Sequence, residues 1–160
     1  MDLNTIFKAY DVRGLYPSQI DETVAGQIAY AFADFAGVDP IAVGRDCRLS
    51  SPGIASALVQ GITRAGVDVA ELGEITTDAL YFVSGSMELP GVVVTASHNP
   101  PEYNGLKFCL AGAAPVGEET GLRDVKELTV AHQPAAPVPG SIERIDILPG
   151  YVDHLLSVVD

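Results

Sequence analysis

The sequence predicts an α/β domain of three layers, with helices on both faces of a mainly parallel, mixed sheet. Three observations lead there. Helix-like and strand-like stretches alternate along most of the chain. Residues 91–95, GVVVT, form an apolar run without alternation, as a strand covered on both faces should. Sixteen Gly and 11 Pro among 160 residues cut the chain into short elements.

Residues 21–37 read as a first helix. Asp21 can cap it, Val24, Ile28, Phe32 and Phe35 recur at helical spacing, and Gly37 can end it. Residues 40–44 give a short apolar strand. Ser51 and Pro52 make an N-cap and first-turn pair for a second helix, striped by Ile54, Leu58 and Ile62 and stopping at Gly66. Residues 67–72 are strand-like, and 76–84 a short helix with Thr76 or Thr77 at its cap. After the strand 91–95 comes ASHNPPEYNG, which no regular element absorbs, and residues 106–110 resume an extended run. A helix is expected over 118–130. HQPAAPVPG, residues 132–140, reads as a linker, followed by an extended stretch at 142–147 and a helix over 151–159. The chain is therefore expected to divide into a domain over 1–133 and, over 134–160, a linker with the start of a second domain. In a parallel sheet, ligands collect beyond the carboxyl ends of the strands. The loops after Gly44 and Thr95 should both emerge there.

Composition narrows the function. Hydrophobic residues make up 48% and charged residues 19%, a globular balance. No apolar run approaches the ~20 residues that cross a bilayer, and residues 1–13 lack the apolar core of a signal peptide. Cys47 and Cys109 have no metal-ligand or redox spacing, which suits a reducing, cytoplasmic setting. The formal charge of −12 argues against nucleic acid or an anionic membrane as partner. The placement of the nine basic residues matters more than their number. Lys8, Arg13, Arg45, Arg48 and Lys107 all lie in or beside three loop-like motifs.

The richest of these is TASHNPPEYNGLK, residues 95–107. A strand end delivers a small hydroxyl, Ser97, onto a turn stiffened by Pro100 and Pro101, with small neighbours and Lys107 near the same mouth. A seryl oxygen beside an imidazole and an ammonium can carry a phosphoryl group, because covalent catalysis divides one hard transfer into two easier ones. A plain loop, in which Ser97 and Asn99 only satisfy backbone groups, is the alternative for such a turn taken alone. A serine-hydrolase reading is weaker, since no G-x-S-x-G surrounds the serine and no oriented base is evident.

The segment TASHNPPEYNGLKF resembles the phosphoserine loop of the α-D-phosphohexomutases, the family of phosphoglucomutases and phosphomannomutases. FKAYDVRGLYP (7–17) is similar to that family's opening motif, VGRDCRLSS (43–51) to its next, and ELGEITTDALYF (71–82) to the stretch between. The agreement in order and spacing runs over roughly residues 6–110. The resemblance implies a phosphoserine at Ser97 that phosphorylates a hexose phosphate. A bound hexose 1,6-bisphosphate turns over and returns its other phosphate, exchanging 1-phosphate for 6-phosphate. Arg13 and Lys107 match positions for charge stabilisation and general acid/base work. Tyr10, His98 and Arg45 match positions that line sugar or phosphate. Each also has a plainer reading: a solvated arginine at 13, an exposed strand lysine at 107, a core-edge aromatic at Tyr10, a local Arg45–Asp46 ion pair. His132 and His154 receive no function.

In that family, Mg²⁺ bridges the serine phosphate to aspartates of a D-G-D-G-D-R loop in a second domain. No such run occurs here. The chain would then supply one metal ligand, a phosphate oxygen on Ser97, and is expected not to turn over substrate without the further domains as partners. The reading from another class is a non-catalytic domain that binds a phosphorylated ligand or partner on the same scaffold. The catalytic reading requires that the Ser97 oxygen protrude into a pocket walled by cations from distant stretches of chain.

Overall fold

The computed structural model describes residues 2–159. Its sheet is built from β1 (Val12–Leu15), β2 (Ile41–Arg45), β3 (Val69–Glu74), β4 (Gly91–Val94), β5 (Tyr103–Leu110), β6 (Ala114–Pro115) and β7 (Ile142–Arg144). The strand order is β1-β5-β4-β2-β3-β7, with β6 paired to β5. β3, β2 and β4 are parallel neighbours and β7 joins β3 in parallel, whereas β5 runs antiparallel to both β4 and β1. The expected mixed α/β sheet is therefore present.

Strand alternation splits the core in two. Ile41, Val43, Val92, Val94 and Phe108 face one layer, made by α1 (Glu22–Ala36), α2 (Ser51–Arg64) and α4 (Leu122–Thr129). Ala42, Val93 and Cys109 face the other, made by α3 (Thr77–Met87) and the approach to α5 (Leu148–Ser157), where Ile147 is buried. Burial pushes the Cys109 thiol's pKa up, so it stays a neutral packing group. Adjacent side chains on one strand point to opposite faces, so an all-apolar strand such as GVVVT serves both layers at once.

The helix signals acted largely as read. The Asp21 carboxylate accepts from the Val24 amide at 2.8 Å, and Thr76 Oγ1 accepts from the Ala79 amide at 3.2 Å. Ser51 differs. It is the first residue of α2 rather than its cap, and its hydroxyl donates to Asp46. Ser50 occupies the cap position without a capping bond. Both hydroxyls instead receive the Asn104 amide, at 2.8 and 3.0 Å, so the polar cluster beneath the loops claims them. The helix expected over 118–130 is broken into a 3-10 turn, Glu118–Thr120, and α4, because Gly121 at φ 134° cannot continue a helix.

β1 was not foreseen, and β5 is longer than the expected run over 106–110. β1 lies inside the motif FKAYDVRGLYP, and β5 begins at Tyr103, three residues before its apolar run. Residues 132–141 carry no regular structure and lie against α1 and α2. Ile142–Arg144 then extends this same sheet at its edge, and Tyr151 of α5 meets Phe82 of α3 with ring centroids 5.5 Å apart.

Connection order fixes the site. β2 leads through α2 to β3 on one side, and β3 returns through α3 to β4 on β2's other side. The crevice between β2 and β4 is thus a topological switch point, where α/β sheets bind ligands. The loops after β2 and after β4 flank it.

Candidate functional site

β4 ends at Val94, and the chain turns outward through buried Thr95 and Ala96 to exposed Ser97. Ser97 has φ 54°, in the left-handed region that a non-glycine residue enters at a cost of about 1 kcal/mol. Local bonds hold it there. Its amide donates to Thr95 Oγ1 at 3.0 Å, and the Asn99 amide donates to the Ala96 carbonyl at 3.1 Å. Ser97 Oγ lies 3.0 Å from His98 Nδ1. The hydroxyl therefore projects from the sheet edge with an imidazole beside it.

The loop is fastened from β2's side. Arg48 donates to the carbonyls of Ser97 (2.9 Å), Asn99 (2.8 Å), Pro100 (2.9 Å) and Tyr103 (3.1 Å). Its Nε donates to Asp46 Oδ2 at 3.2 Å, and Asp46 Oδ1 accepts from the Arg48 amide at 3.1 Å. Behind the loop, β1, β5 and the end of β4 approach so closely that a Cβ on Gly105 would lie 2.2 Å from the Val12 carbonyl oxygen.

The antiparallel β1–β5 register sets Arg13 opposite Gly105, which brings its guanidinium to the loop. Arg13 Nη1 donates to Asn99 Oδ1 at 2.6 Å, and Nη2 to Asp11. Lys107 Nζ sits 3.5 Å from the same Asp11 carboxylate, whose side chain is 10% exposed. Two cations from separate strands thus share one buried carboxylate. Arg13 Nε is buried without a partner. An anion arriving at the Ser97 edge would meet groups already held in place, but held by Asp11.

Ser97, His98 and Lys107 line one open cleft of about 1320 Å³. Its other walls come from the loop after β2 (Asp46, Cys47, Arg48), the start of α3, and Asp146 to Tyr151. Arg13 touches the cleft's loop through Asn99. The structure does not bring the other two predicted residues there. Tyr10 is 80% exposed and does not line the cleft. Arg45 turns toward Glu74, 3.0 Å away, and faces a smaller cavity between β2, β3 and α2. Sequence reasoning assigned no catalytic or binding role to Asp11, Asp46, Arg48 or Asn99, reading Asp46 only as an ion-pair partner of Arg45 and Asn99 only as a turn residue. All four sit inside the motifs it singled out. Asp46 pairs locally with Arg48 and Ser51, but the carbonyls that Arg48 meets, the Lys107 that shares Asp11 and the Arg13 that reaches Asn99 lie on other segments, which a linear pattern does not display.

Among the described residues, no group of three or more His, Cys, Asp or Glu side chains is placed to hold a metal ion. One phosphate oxygen on Ser97 is one ligand, whereas Mg²⁺ takes about six oxygens in octahedral array. The donors of the described residues do not compose a magnesium site by themselves.

The chain is thus a layered α/β domain with a seryl hydroxyl at its switch point and two cations, Arg13 and Lys107, behind it. The family described as phosphoglucomutase/phosphomannomutase, alpha/beta/alpha domain I, matches residues 4–132, and the chain belongs to that family. It is 40% identical over 160 residues to a phosphomannomutase of Escherichia coli, covering 98% of this chain and 35% of that protein. It is 39% identical over 157 residues to a protein named "Phosphohexose mutases" from Xanthomonas campestris, covering 96% of this chain and 35% of that one. Among solved structures, a phosphoglucomutase/phosphomannomutase family protein from Burkholderia thailandensis superposes with a TM-score of 0.86 at 35% identity, over all of this chain and 37% of that one. A putative phosphomannomutase from Thermus thermophilus superposes with a TM-score of 0.85 at 27% identity, over 96% of this chain and 36% of that one. The chain spans about a third of the length of the curated relatives it matches.

Proposed function

We propose that this domain carries the transferable phosphoryl group of a hexose-phosphate mutase on Ser97. The observation that supports this best is the Ser97 hydroxyl itself: exposed, held in a left-handed turn, and opening on the cleft that Lys107 lines. In the first half of the reaction, the Oγ–P bond of phosphoserine 97 breaks as a bond forms from phosphorus to a free hydroxyl of the hexose phosphate. The proton of that hydroxyl leaves for a base at the site. The departing seryl oxygen takes up a proton. In the second half, after the bisphosphate has turned over, the other sugar O–P bond breaks as phosphorus bonds to Ser97 Oγ. The seryl proton leaves for a base, the freed sugar oxygen is protonated, and the net result is exchange between the 1- and 6-positions. Such transfer depends on positioning and positive charge more than on covalent assistance. Arg13 and Lys107 are proposed for that charge and for acid/base work, with His98 beside the seryl oxygen. Tyr10 and Arg45 take part only by contacts that bound sugar would induce.

The reading extends to glucose- or mannose-type substrates, to Mg²⁺ completed by ligands outside this chain, and to a cytoplasmic setting. Among the described residues, no helix is long and apolar enough to cross a membrane. It also keeps residues 1–133 as the phosphoserine domain and 134–160 as the passage into a further one, which would complete the active site.

The test is mass spectrometry of the protein before and after incubation with a hexose 1,6-bisphosphate. A phosphate on Ser97, and a fall of roughly 10³-fold or more in mutase turnover of the complete enzyme on Ser97→Ala, is expected. Turnover unchanged by Ser97→Ala would refute the reading.

A further inference from the structure

Arg48 is the one arginine at the cleft whose charge is wholly engaged within the protein. A guanidinium has five N–H donors in a fixed fork, and all five are used: one on Asp46 and four on the carbonyls of Ser97, Asn99, Pro100 and Tyr103. No donor is left for an incoming phosphate. Its side chain is only 14% exposed; the charge-assisted bonds to Asp46, Asn99 and Tyr103 are partly buried, and those to the Ser97 and Pro100 carbonyls reach the surface. They join the loop after β2 to the loop after β4 across the switch-point crevice, and they hold main-chain atoms, whose positions set the direction of every side chain between.

We propose that Arg48 is a positioning residue: it fixes the main chain from Ser97 to Tyr103 and thereby aims the Ser97 hydroxyl into the cleft. The loop's other fastenings are single bonds: Thr95 Oγ1 on the Ser97 amide, the Ala96 carbonyl on the Asn99 amide, and Arg13 on Asn99 Oδ1. Pro100 and Pro101 stiffen it but anchor it to nothing. The left-handed turn at Ser97 is intrinsically unfavourable, and it persists only if its surroundings over-determine it. Asp46, bonded to the Arg48 amide and Nε and to Ser51, fixes the arginine in turn. The consequence for phosphoryl transfer rests on the proposed function; the hold on the loop does not.

Arg48→Lys is the informative variant. It keeps the charge, but an ammonium has three donors and cannot meet four carbonyls spread across a turn. Amide hydrogen exchange is read at Asn99 and Tyr103, whose N–H groups close the loop's own turns onto Ala96 and Pro100. Exchange there should quicken by about tenfold or more, while Val92, Val93 and Val94 in β4 keep their protection. In parallel, phosphoserine is installed at position 97 by codon suppression and its ³¹P resonance recorded. With Arg48 the resonance should be displaced from that of free phosphoserine, and with Arg48→Lys it should move back to it. Unchanged exchange and an unchanged resonance would overturn the proposal. So would a loss of protection in β4 equal to that in the loop, because Arg48 would then be holding the domain rather than aiming the serine. If exchange responds but the resonance matches free phosphoserine even with Arg48 present, the hold on the loop stands and the phosphoryl-carrier reading falls.

Discussion

Two stretches of this domain that lack regular structure are held in different ways. The Ser97 loop, residues 95–102, is tied by one largely buried guanidinium, by Arg13 through Asn99, and by three closely packed strand ends. The stretch 132–141 is tied by exposed bonds scattered along it. Tyr30 donates to the Pro134 carbonyl at 2.9 Å, Gln133 to the Gln27 carbonyl at 2.9 Å, and the Ala136 and Gly140 amides to carbonyls of Arg64 and Thr63. Both sets reach far along the sequence. The first set is partly buried and converges on one charged group, whereas the second is made of separate, mostly neutral bonds, so the loop's bonds define a geometry and the other stretch is only tethered. A site that must hold one hydroxyl in place needs the first kind of fastening.

The contrast breaks most visibly at Gly105. A Cβ there would sit 2.2 Å from the Val12 carbonyl oxygen and 3.0 Å from that of Thr95, both main-chain atoms of neighbouring strands. Gly105→Ala must part β1 from β5 or lift the loop's base. A loss of about 3 kcal/mol or more in urea-induced unfolding is expected. A loss below about 1 kcal/mol would mean that the loop's foundation yields as easily as the tether.

Asp11→Asn should cost less and change the site more. Asp11 is buried and pairs with two cations, each 26% exposed, so water partly replaces what is lost. A destabilisation of about 1–2 kcal/mol is expected. Arg13 should also lose its fixed orientation toward Asn99, visible as averaging of its side-chain guanidinium signals in NMR. If those signals stay as sharp as in the parent while stability falls, Asp11 serves the fold alone.

Much of this organisation was legible in the sequence, for physical reasons. GVVVT had to be a two-sided strand, and Asp21 and Thr76 had to look for amides to accept, so the layers and helix starts follow from local chemistry. The paired loops at one sheet edge followed from alternation and parallel topology. Asp11 and Arg48 were not legible in the same way. Their roles come from β1 lying antiparallel to β5 and from a turn that offers four carbonyls to one side chain, and main-chain acceptors leave no mark on residue type. Ser51 was misread for a related reason. A hydroxyl before Pro52 looks like a cap, but Asp46 and Asn104 compete for it. β1 escaped because its four residues include Arg13 and Gly14, so no apolar run announced it. The strand at 142–144 is exposed throughout and owes its place to its partner β3 rather than to its own composition.

On the tether's side the effects should be smaller, even where the local clash is worse. A Cβ on Gly140 would lie 1.9 Å from the Val67 carbonyl oxygen, closer than at Gly105. Yet residues 132–141 can lift away without opening either core. Gly140→Ala should therefore cost about 1 kcal/mol or less in global unfolding, while protease cleavage within 132–141 quickens. A loss as large as that for Gly105→Ala would show that β7 and α5 unfold with the rest as one unit.

The smallest effect should be a local one in acid. Asp68 accepts a hydrogen bond from the Ser141 amide, and that bond, with the Ser141 hydroxyl second, holds its carboxyl below the ordinary aspartate pKa. A depressed folded-state value means that the bond's contribution is complete above the unfolded pKa of about 3.9. It then fades as pH falls through the lower, folded value. Because Asp68 lies at the surface, the change should be confined to where β7 joins β3. The Ser141 and Val69 amide signals should shift in NMR below about pH 4, with Val92 to Val94 unmoved. In Asp68→Asn, whose side-chain oxygen still accepts but does not titrate, that acid transition should vanish. Its persistence in the Asn variant would assign it to another carboxylate, and Asp39, which accepts the Asp68 amide at 2.9 Å, is the neighbour to test next.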